Sequence, residues 1–504
     1  VNVKLAEIRT TYKELKPTDI TCIDPCMGSG HILIAMFDVL MDIYESAGYD
    51  KREAAFEIVE HNIHGLDIDQ RAYQLAYFAV MMKGRGYNRR FLRGRDGKPE
   101  PKVYAIAESN EINRKHLKFF GTHLSDMERN LATMQIEGLL DTFVDAREYG
   151  SILNVDACDW DVLEKFVEDM GTTGQISFES VGSEETQESL RKLVRVAKNL
   201  GQKYDAVVTN PPYMGASGMG AKLSKYVKDN YLDSKSDLFA VFIEKCGQMT
   251  KKNTYQAMIT QHAWMFLSSF EKLREKMMLT ETVNMAHLGA RAFEEIGGEV
   301  VQTTAFVRCA NHVEGYKGTY CRLIEPTSQQ GKADMFISGQ NQYRVGQISF
   351  SKIPGVPVAY WISPEVLKLF DERTVGSIAD AKSGMTTTDN TRFLRLWEEV
   401  NCQKIGFGYS NIADTQDMKY KWFPFCKGGD FRRWAGNESF VVNWFNNGEE
   451  IRVAAEGATG GRLVNIDCAL RECLVWTKIS SANISLRMKK QGIFFSDAAP
   501  GVFA

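Results

Sequence analysis

No C-x-x-C pair occurs among the ten cysteines of this 504-residue chain, and none has a nearby His-x-x-x-His partner. That excludes a zinc finger and leaves free thiols in a reducing compartment. No apolar run approaches the length of a bilayer span, and the opening VNVKLAEIRTTYKELK reads as an amphipathic helix rather than a signal peptide. A cytoplasmic protein without a membrane partner is expected. Neither charge sign is in excess: 61 Lys and Arg against 64 Asp and Glu give a net charge of −3. A uniformly basic nucleic-acid coat is thereby excluded, so any DNA surface must be local. No internal repeat and no metal-binding carboxylate cluster is found, and no metal is expected. The chain begins with Val1 and ends at GVFA, which reads as an excised piece of something longer.

What is present is an ordinary folded composition, 44% hydrophobic and 25% charged, over a length that suits two domains. Short β-branched runs alternate with helical patterns as far as about Val307, the signature of a doubly wound α/β domain. The expected strands are DITCID, NIHGLDI, ILNVD, DAVVTN, YQAMIT, ETVNMAHL and VVQTTAFV. Between the third and fourth, residues 160–202 are polar and acidic, with Gly171, Thr172, Thr173 and Gly174, and read as a helical insertion plus loop. From about Pro354 the pattern turns irregular and rich in Trp, Gly and Asn. Domains at 1–353 and 354–504 are therefore expected, the second incomplete at its C-terminal end.

DITCID, PCMGSG and HILIAMFDVLMDIY read as strand, glycine turn and helix. Gly28 and Gly30 let the backbone bend sharply and approach a ligand, while amides at the helix start face an anionic group. A tight connection without ligand is the plainer alternative. The dinucleotide pattern G-x-G-x-x-G is not met, because its third Gly is missing. The next strand ends in HGLDID, where an α/β fold places the acceptor for ribose hydroxyls. Asp67 takes that role here and Ile68 packs on the adenine ring; Asp69 is either the alternative ligand or the cap of the following helix. A third acidic end, NVDACDW, offers Asp156 to an adenine amine, or is a turn aspartate.

DAVVTN runs straight into Asn210, Pro211, Pro212 and Tyr213. Two prolines hold the chain extended and present the strand end rigidly. The Asn210 side-chain oxygen and the Pro211 carbonyl can then accept both hydrogens of a planar amine, leaving its nitrogen facing an electrophilic methyl. Tyr213 supplies a face for a planar base, and a duplex adenine reaches such a place by flipping out. A rigid surface turn is the bland alternative.

In this order DPCMGSG, GLDID, NVD and TNPPY resemble the amino-methyltransferase family, on its adenine-N6 branch. The wording DPCMGSGHIL, LDIDQRAYQLAYFAVMMK, NPPYMGASGMGAKLSKYVKDNY and GGEVVQTTAFV resembles the adenine-specific methyltransferases of bacteriophage-exclusion and phage-growth-limitation systems. SGMTTTDNTRFLRLW and GGDFRRWAGN extend the resemblance into the second domain. It implies a Rossmann-like seven-stranded sheet followed by a mixed α/β target-recognition domain. It also implies S-adenosylmethionine as cofactor, held by Asp24, Pro25, Met27, Gly28, Gly30, Asp67, Ile68 and Asp156, and marking of host DNA among other proteins of an antiphage system. One departure is that related enzymes carry a cofactor-binding segment before the glycine loop, where this chain has some twenty residues.

For DNA, MKGRGYNRRFLRGRDGKP offers Arg89, Arg90 and Arg93, and the loop after Tyr213 offers Lys222 and Lys225; a solvated charge run is the alternative. In the second domain Thr387, Asn390, Arg392, Arg432 and Arg433 can read base edges or phosphates. A protein-glutamine or RNA-guanine amino-methyltransferase, and a non-catalytic DNA-binding subunit, are the competing functions.

Overall fold

Apolar runs too short for helices pair side by side at the centre of the first half of the chain. The computed structural model describes residues 1–95, 97–170, 181–293, 301–417, 419–456, 463–480 and 483–504. They divide into two units, Val1–Leu367 and Lys368–Ala504. The division falls after the expected 353/354 boundary because the intervening segment packs on the first unit. Arg274 donates to the Gly355 carbonyl at 2.6 and 3.0 Å, the Val358 amide to Met265 O at 2.9 Å, and Tyr360 Oη lies 3.0 Å from His287 Nδ1.

The first unit holds nine strands: β1 Cys22–Asp24, β2 Ile63–Asp67, β3 Lys102–Ala105, β4 Tyr204–Thr209, β5 Thr250–Gln261, β6 Glu281–Gly289, β7 Thr303–Cys309, β8 Gly318–Arg322 and β9 Gln342–Val345. Their order is β3-β2-β1-β4-β5-β7-β6-β8-β9. The first five neighbours are parallel, and β7 runs antiparallel between β5 and β6. The expected seven-stranded Rossmann-like sheet is thus present, lengthened by β8 and β9. The direction of winding reverses between β1 and β4, where an open α/β sheet leaves a crevice beyond the carboxyl ends of its strands.

Two corrections concern the strands. ILNVD is not one: residues 150–152 form a short 3-10 turn and the chain then runs irregularly. Its carbonyls are taken by side chains, Tyr231 Oη on Ile152 O and Lys245 Nζ on Leu153 O, both at 2.6 Å. The outer place in the sheet goes to KVYA, β3, whose Gly65–Val103 and Leu66–Tyr104 pairing covers β2. The 160–202 stretch is helical, over Trp160–Glu168 and Ser183–Gly201, but belongs to the core: Leu163, Phe166, Leu190, Leu193 and Leu200 are buried. Gly171, Thr172, Thr173, Gly174 and Val300, the first residue of the last expected strand, lie outside the described residues.

Both faces of the sheet are covered where the site forms. Leu33, Phe37 and Leu40 of the His31–Ser46 helix pack with Ile63 and Val103 on one face, while Ile23, Leu66 and Val207 join the larger cluster on the other. Phe37 is fully buried and stacks on Tyr87 at 5.4 Å. Phe37→Ala is expected to cost about 3–5 kcal/mol; urea unfolding reads this, and an unchanged midpoint would contradict it. Among the described residues no helix is long and apolar enough to cross a membrane.

The second unit contains two four-stranded sheets. β10 Asp380–Lys382, β14 Cys473–Trp476, β15 Leu486–Lys489 and β17 Gly501–Phe503 form one, in the order β10-β17-β14-β15; β11 Leu394–Leu396, β12 Trp422–Cys426, β13 Phe440–Asn443 and β16 Phe494–Phe495 form the other, ordered β11-β13-β12-β16. Phe393, Phe423, Phe425, Trp444 and Phe494 fill its core, so Trp444 is a packing residue, tied through Nε1 to Thr415 Oγ1 at 3.1 Å.

Candidate active site

β1 delivers Asp24 to the carboxyl edge of the sheet, and the chain turns through Gly28 at φ +53° and Gly30 at φ +90°. Side-chain-bearing residues are strained at both. A Cβ on Gly30 would stand 3.0 Å from the Ala76 backbone, so this glycine is also needed for helix packing. A Cβ on Gly28 would meet nothing within 4 Å: the space before it is open. The Gly28 amide donates to Asp67 Oδ2 at 2.9 Å, and Asp67 Oδ1 accepts the Asp69 amide at 2.9 Å. Asp69 itself accepts the Arg71 amide at 2.7 Å and is a helix cap, which leaves Asp67, of the two, as the acid facing the cleft.

That cleft, about 560 Å³, is walled by Pro25 and Cys26 after β1, Asp67 at the end of β2 and Ile68 after it, and Asn210, Pro211 and Pro212 after β4. The start of the glycine turn, Pro25 and Cys26, and the proline strand end therefore share one cleft, while Gly28, Gly30 and Tyr213 are not among its lining residues. A hydrogen bond couples them directly: Thr209 Oγ1 donates to Asp24 Oδ1 at 2.7 Å, beside the Cys26 amide at 3.0 Å. Asp24 is 1% exposed, and its Oδ2 is buried with no partner among the described residues. Burial pushes its carboxyl up to about 7.

Asn210 and Pro212 are exposed and Pro211 is buried. Tyr213 Oη donates to Asn210 Oδ1 at 3.3 Å, which fixes the amide rotamer and leaves one acceptor position on that oxygen. The Tyr213 ring meets Phe239 edge-on at 6.1 Å, and burial raises its phenol to about 12, so it stays neutral. The chain then loops back onto a helix start. Met214 N donates to Asp237 Oδ1 at 3.1 Å, Leu238 N to Met214 O at 2.9 Å and Ala216 N to Ser236 O at 3.1 Å. Asp237 also caps the Leu238–Met249 helix, and burial raises its carboxyl.

Residues 147–151 supply a further wall, a part that sequence reasoning missed. Ser151 Oγ donates to Pro25 O at 2.6 Å, locking this wall to the glycine turn. A Cβ on Gly150, at φ +63°, would stand 2.9 Å from Ile68 Cγ2. From behind, Tyr231 holds Ile152 O and Asn154 Oδ1, and the buried Lys245 holds Leu153 O. Burial lowers the Lys245 ammonium to about 8. Tyr231→Phe is expected to destabilise the chain by about 1–3 kcal/mol, the cost of unpaired buried acceptors; equal urea midpoints for variant and wild type would contradict it.

Several expected residues stand elsewhere. Met27 is 3% exposed and faces the core, its Sδ where a Cβ on Gly65 would come within 2.5 Å. Asp156 is exposed and is not among the cleft walls, because the segment bearing it is not a strand end. Arg89, Arg90 and Arg93 are exposed at the opposite edge of the sheet: the 18-residue Gln70–Tyr87 helix leads away from the end of β2 toward the start of β3, about 27 Å at 1.5 Å per residue. Lys222 is paired with Asp145 at 2.6 Å, whereas Lys225 is exposed on the same helix. In the second unit Thr387 is buried and bonds Asn390 Oδ1 at 2.6 Å, Arg392 lies 3.5 Å from Glu450, and Arg432 and Arg433 are exposed.

Residues 61–289 match the Eco57I restriction-modification methylase family, a stretch that includes Asp67 and Asn210 but begins after the glycine turn. The chain is 42% identical, over 98% of its length, to the adenine-specific methyltransferase PglX of Lacticaseibacillus casei (strain Zhang), of which it covers 41%. It is 35% identical over its whole length to the adenine-specific methyltransferase BrxX of Escherichia coli O9:H4 (strain HS), covering 42% of that protein. It thus spans about two-fifths of the length of these relatives. The solved structure of the Type IIL restriction-modification enzyme MmeI in complex with DNA shares the fold, with a TM-score of 0.51 at 13% identity over 99% of this chain and 58% of that one. Along its length the chain is similar to the PglX and BrxX adenine-specific methyltransferases, and its residues 61–289 match the Eco57I restriction-modification methylase family.

Proposed function

We propose that this chain transfers a methyl group from S-adenosylmethionine to the exocyclic N6 of an adenine flipped out of double-stranded DNA. The observation that carries the reading is the cleft shared by Asn210 with Pro25 and Cys26 at the start of the glycine turn, joined by the Thr209–Asp24 hydrogen bond. The residues suit the cofactor. Open space stands before Gly28, Asp67 and Ile68 offer an acceptor and an apolar face, and the unpartnered Asp24 Oδ2 lies just behind the wall, suited to a cationic group. When bound, S-adenosylmethionine supplies an electrophilic methyl on a sulfonium.

The chain's own contribution is orientation. Asn210 Oδ1 and the Pro211 carbonyl accept the two N–H groups of the target amine, which keeps the nitrogen from rotating away. As the N6–methyl bond would form and the sulfonium–methyl bond break, leaving a neutral thioether, the same oxygens would stabilise the positive charge on that nitrogen, and its proton would pass to water at the exposed Asn210. Tyr213 holds the Asn210 amide and offers a rim for the base. Met214, Leu223, Leu238 and Phe242 make the adjoining wall apolar and exclude water. The second unit, with exposed Arg432 and Arg433, acts in target recognition. The likeness to PglX and BrxX supports a place among other proteins of a bacteriophage-exclusion system, in the cytoplasm.

Radiolabelled cofactor offered with adenine-containing duplex, adenine-free duplex, RNA and protein tests this. Label is expected in the first alone. Label confined to RNA or protein would instead favour an RNA-guanine or protein-glutamine enzyme.

A further inference from the structure

In the second unit a cavity of about 360 Å³ opens at the glycine pair of KGGDFRR, between Gly428, Gly429, Thr477, Lys478, Asp497 and Ala498. The backbone comes unusually close here: a Cβ on Gly428 would stand 2.4 Å from Ala498 O. Neither Gly428 nor Gly429 donates its amide to an acceptor among the described residues. Thr477 Oγ1 donates to Gly429 O at 3.2 Å and accepts from Arg487 Nη1 at 3.2 Å. Behind that hydroxyl, Arg487 is fully buried, and its Nε and Nη2 have no partner among the described residues.

Lys489, two residues along β15 and on the same side, shows what a satisfied buried cation looks like. Its ammonium reaches three carbonyls, of Ala469, Arg471 and Ile493, at 3.1, 2.5 and 2.7 Å. Arg487 has neither such a cage nor a carboxylate within 4 Å among the described residues; Glu438 is the acid whose charge it feels. At the mouth, Lys478 and Asp497 lie 3.9 Å apart and offset each other. The cavity wall therefore carries two glycines whose amides are unpartnered among the described residues, and one hydrogen bond behind its Thr477 hydroxyl stands a guanidinium with no carboxylate in contact. A buried cation without counter-charge is costly, and an oxyanion is the complement this arrangement lacks.

We infer that the KGGD cavity is a phosphate subsite, which holds one backbone phosphodiester of DNA. Gly428 and Gly429 approach it through their amides, Thr477 turns its hydroxyl from Gly429 O to the phosphate, and Arg487 supplies the charge behind. The exposed Arg432 and Arg433 continue the same motif. The identity of the occupant rests on the DNA reading above; the oxyanion chemistry does not.

The test uses the full chain in two arms. In the first, thermal melting is compared in inorganic phosphate and in sodium chloride of equal ionic strength. A rise of a few degrees in phosphate is expected for wild type and its loss in Thr477→Val and Arg487→Met. In the second, a labelled 20-base-pair duplex is titrated at several salt concentrations. Lys478→Ala and Thr477→Val should weaken binding, and Arg487→Met should reduce the salt slope by about one. Thr477→Val is nearly isosteric and keeps the test open should Arg487→Met fail to fold. Variants that retain both the phosphate response and the slope overturn the subsite. A phosphate response lost in Thr477→Val, with no duplex binding by wild type, overturns DNA as occupant and the methyltransferase reading's substrate together, and leaves an oxyanion site.

Discussion

Asn210→Ala is expected to lower methyl transfer by about 10²–10³-fold, the usual loss when one preorganised partner of a developing charge is removed. The side chain is exposed on the cleft wall, and its bond is with Tyr213 at the same rim, so the fold does not depend on it. The urea unfolding free energy should stay within about 0.5 kcal/mol of wild type. Affinity for S-adenosylhomocysteine should also be retained, because the glycine turn, Asp67 and the 147–151 wall are untouched. Loss of transfer with loss of folding would make Asn210 a structural residue, and retained transfer would remove its assigned role.

The second large effect is one of pH. Asp24 is buried beneath the cleft with its carboxyl raised to about 7 by burial, against an ordinary value near 4. The unfolded chain releases this proton near pH 4, while the folded chain keeps it until about pH 7. Folding stability from this group is thus fully present below pH 4 and is lost as pH rises to 7, by about 4 kcal/mol over the window. Asp24→Asn should remove that slope while retaining an oxygen for Thr209 Oγ1. The difference in urea unfolding free energy between variant and wild type, followed from pH 4.5 to 8, should grow in the variant's favour; parallel curves would contradict it.

The parts of the site legible in the sequence are those that one short segment fixes by itself. DAVVTN before two prolines must end as an extended strand, and β4 does so at Thr209. A glycine turn between an apolar strand and an apolar helix needs left-handed φ, found at Gly28 and Gly30. What was not legible depends on distant partners. ILNVD has strand composition, but Tyr231 and Lys245, some eighty and ninety residues on, claim its carbonyls. KVYA is four residues between proline-rich and polar stretches, and it becomes a strand because β2 has a free edge. Asp156 fell from the cleft with the strand it was expected to end. Asp237 carried a usable signal, an acid directly before an apolar helical run, yet its grip on Met214 is a tertiary contact. The place of the charge run was not legible for a geometric reason: the arginines of GYNRRFLRGR follow a helix that leads away from the cleft.

Position of the new methyl group is the most direct measure of the claim that Asn210 and Pro211 orient an adenine amine. Duplex DNA incubated with the chain and S-adenosylmethionine, digested to nucleosides and resolved by mass spectrometry, should yield N6-methyladenine, and none with Asn210→Ala. N4-methylcytosine in place of N6-methyladenine, or the same yield from the variant, would contradict the account.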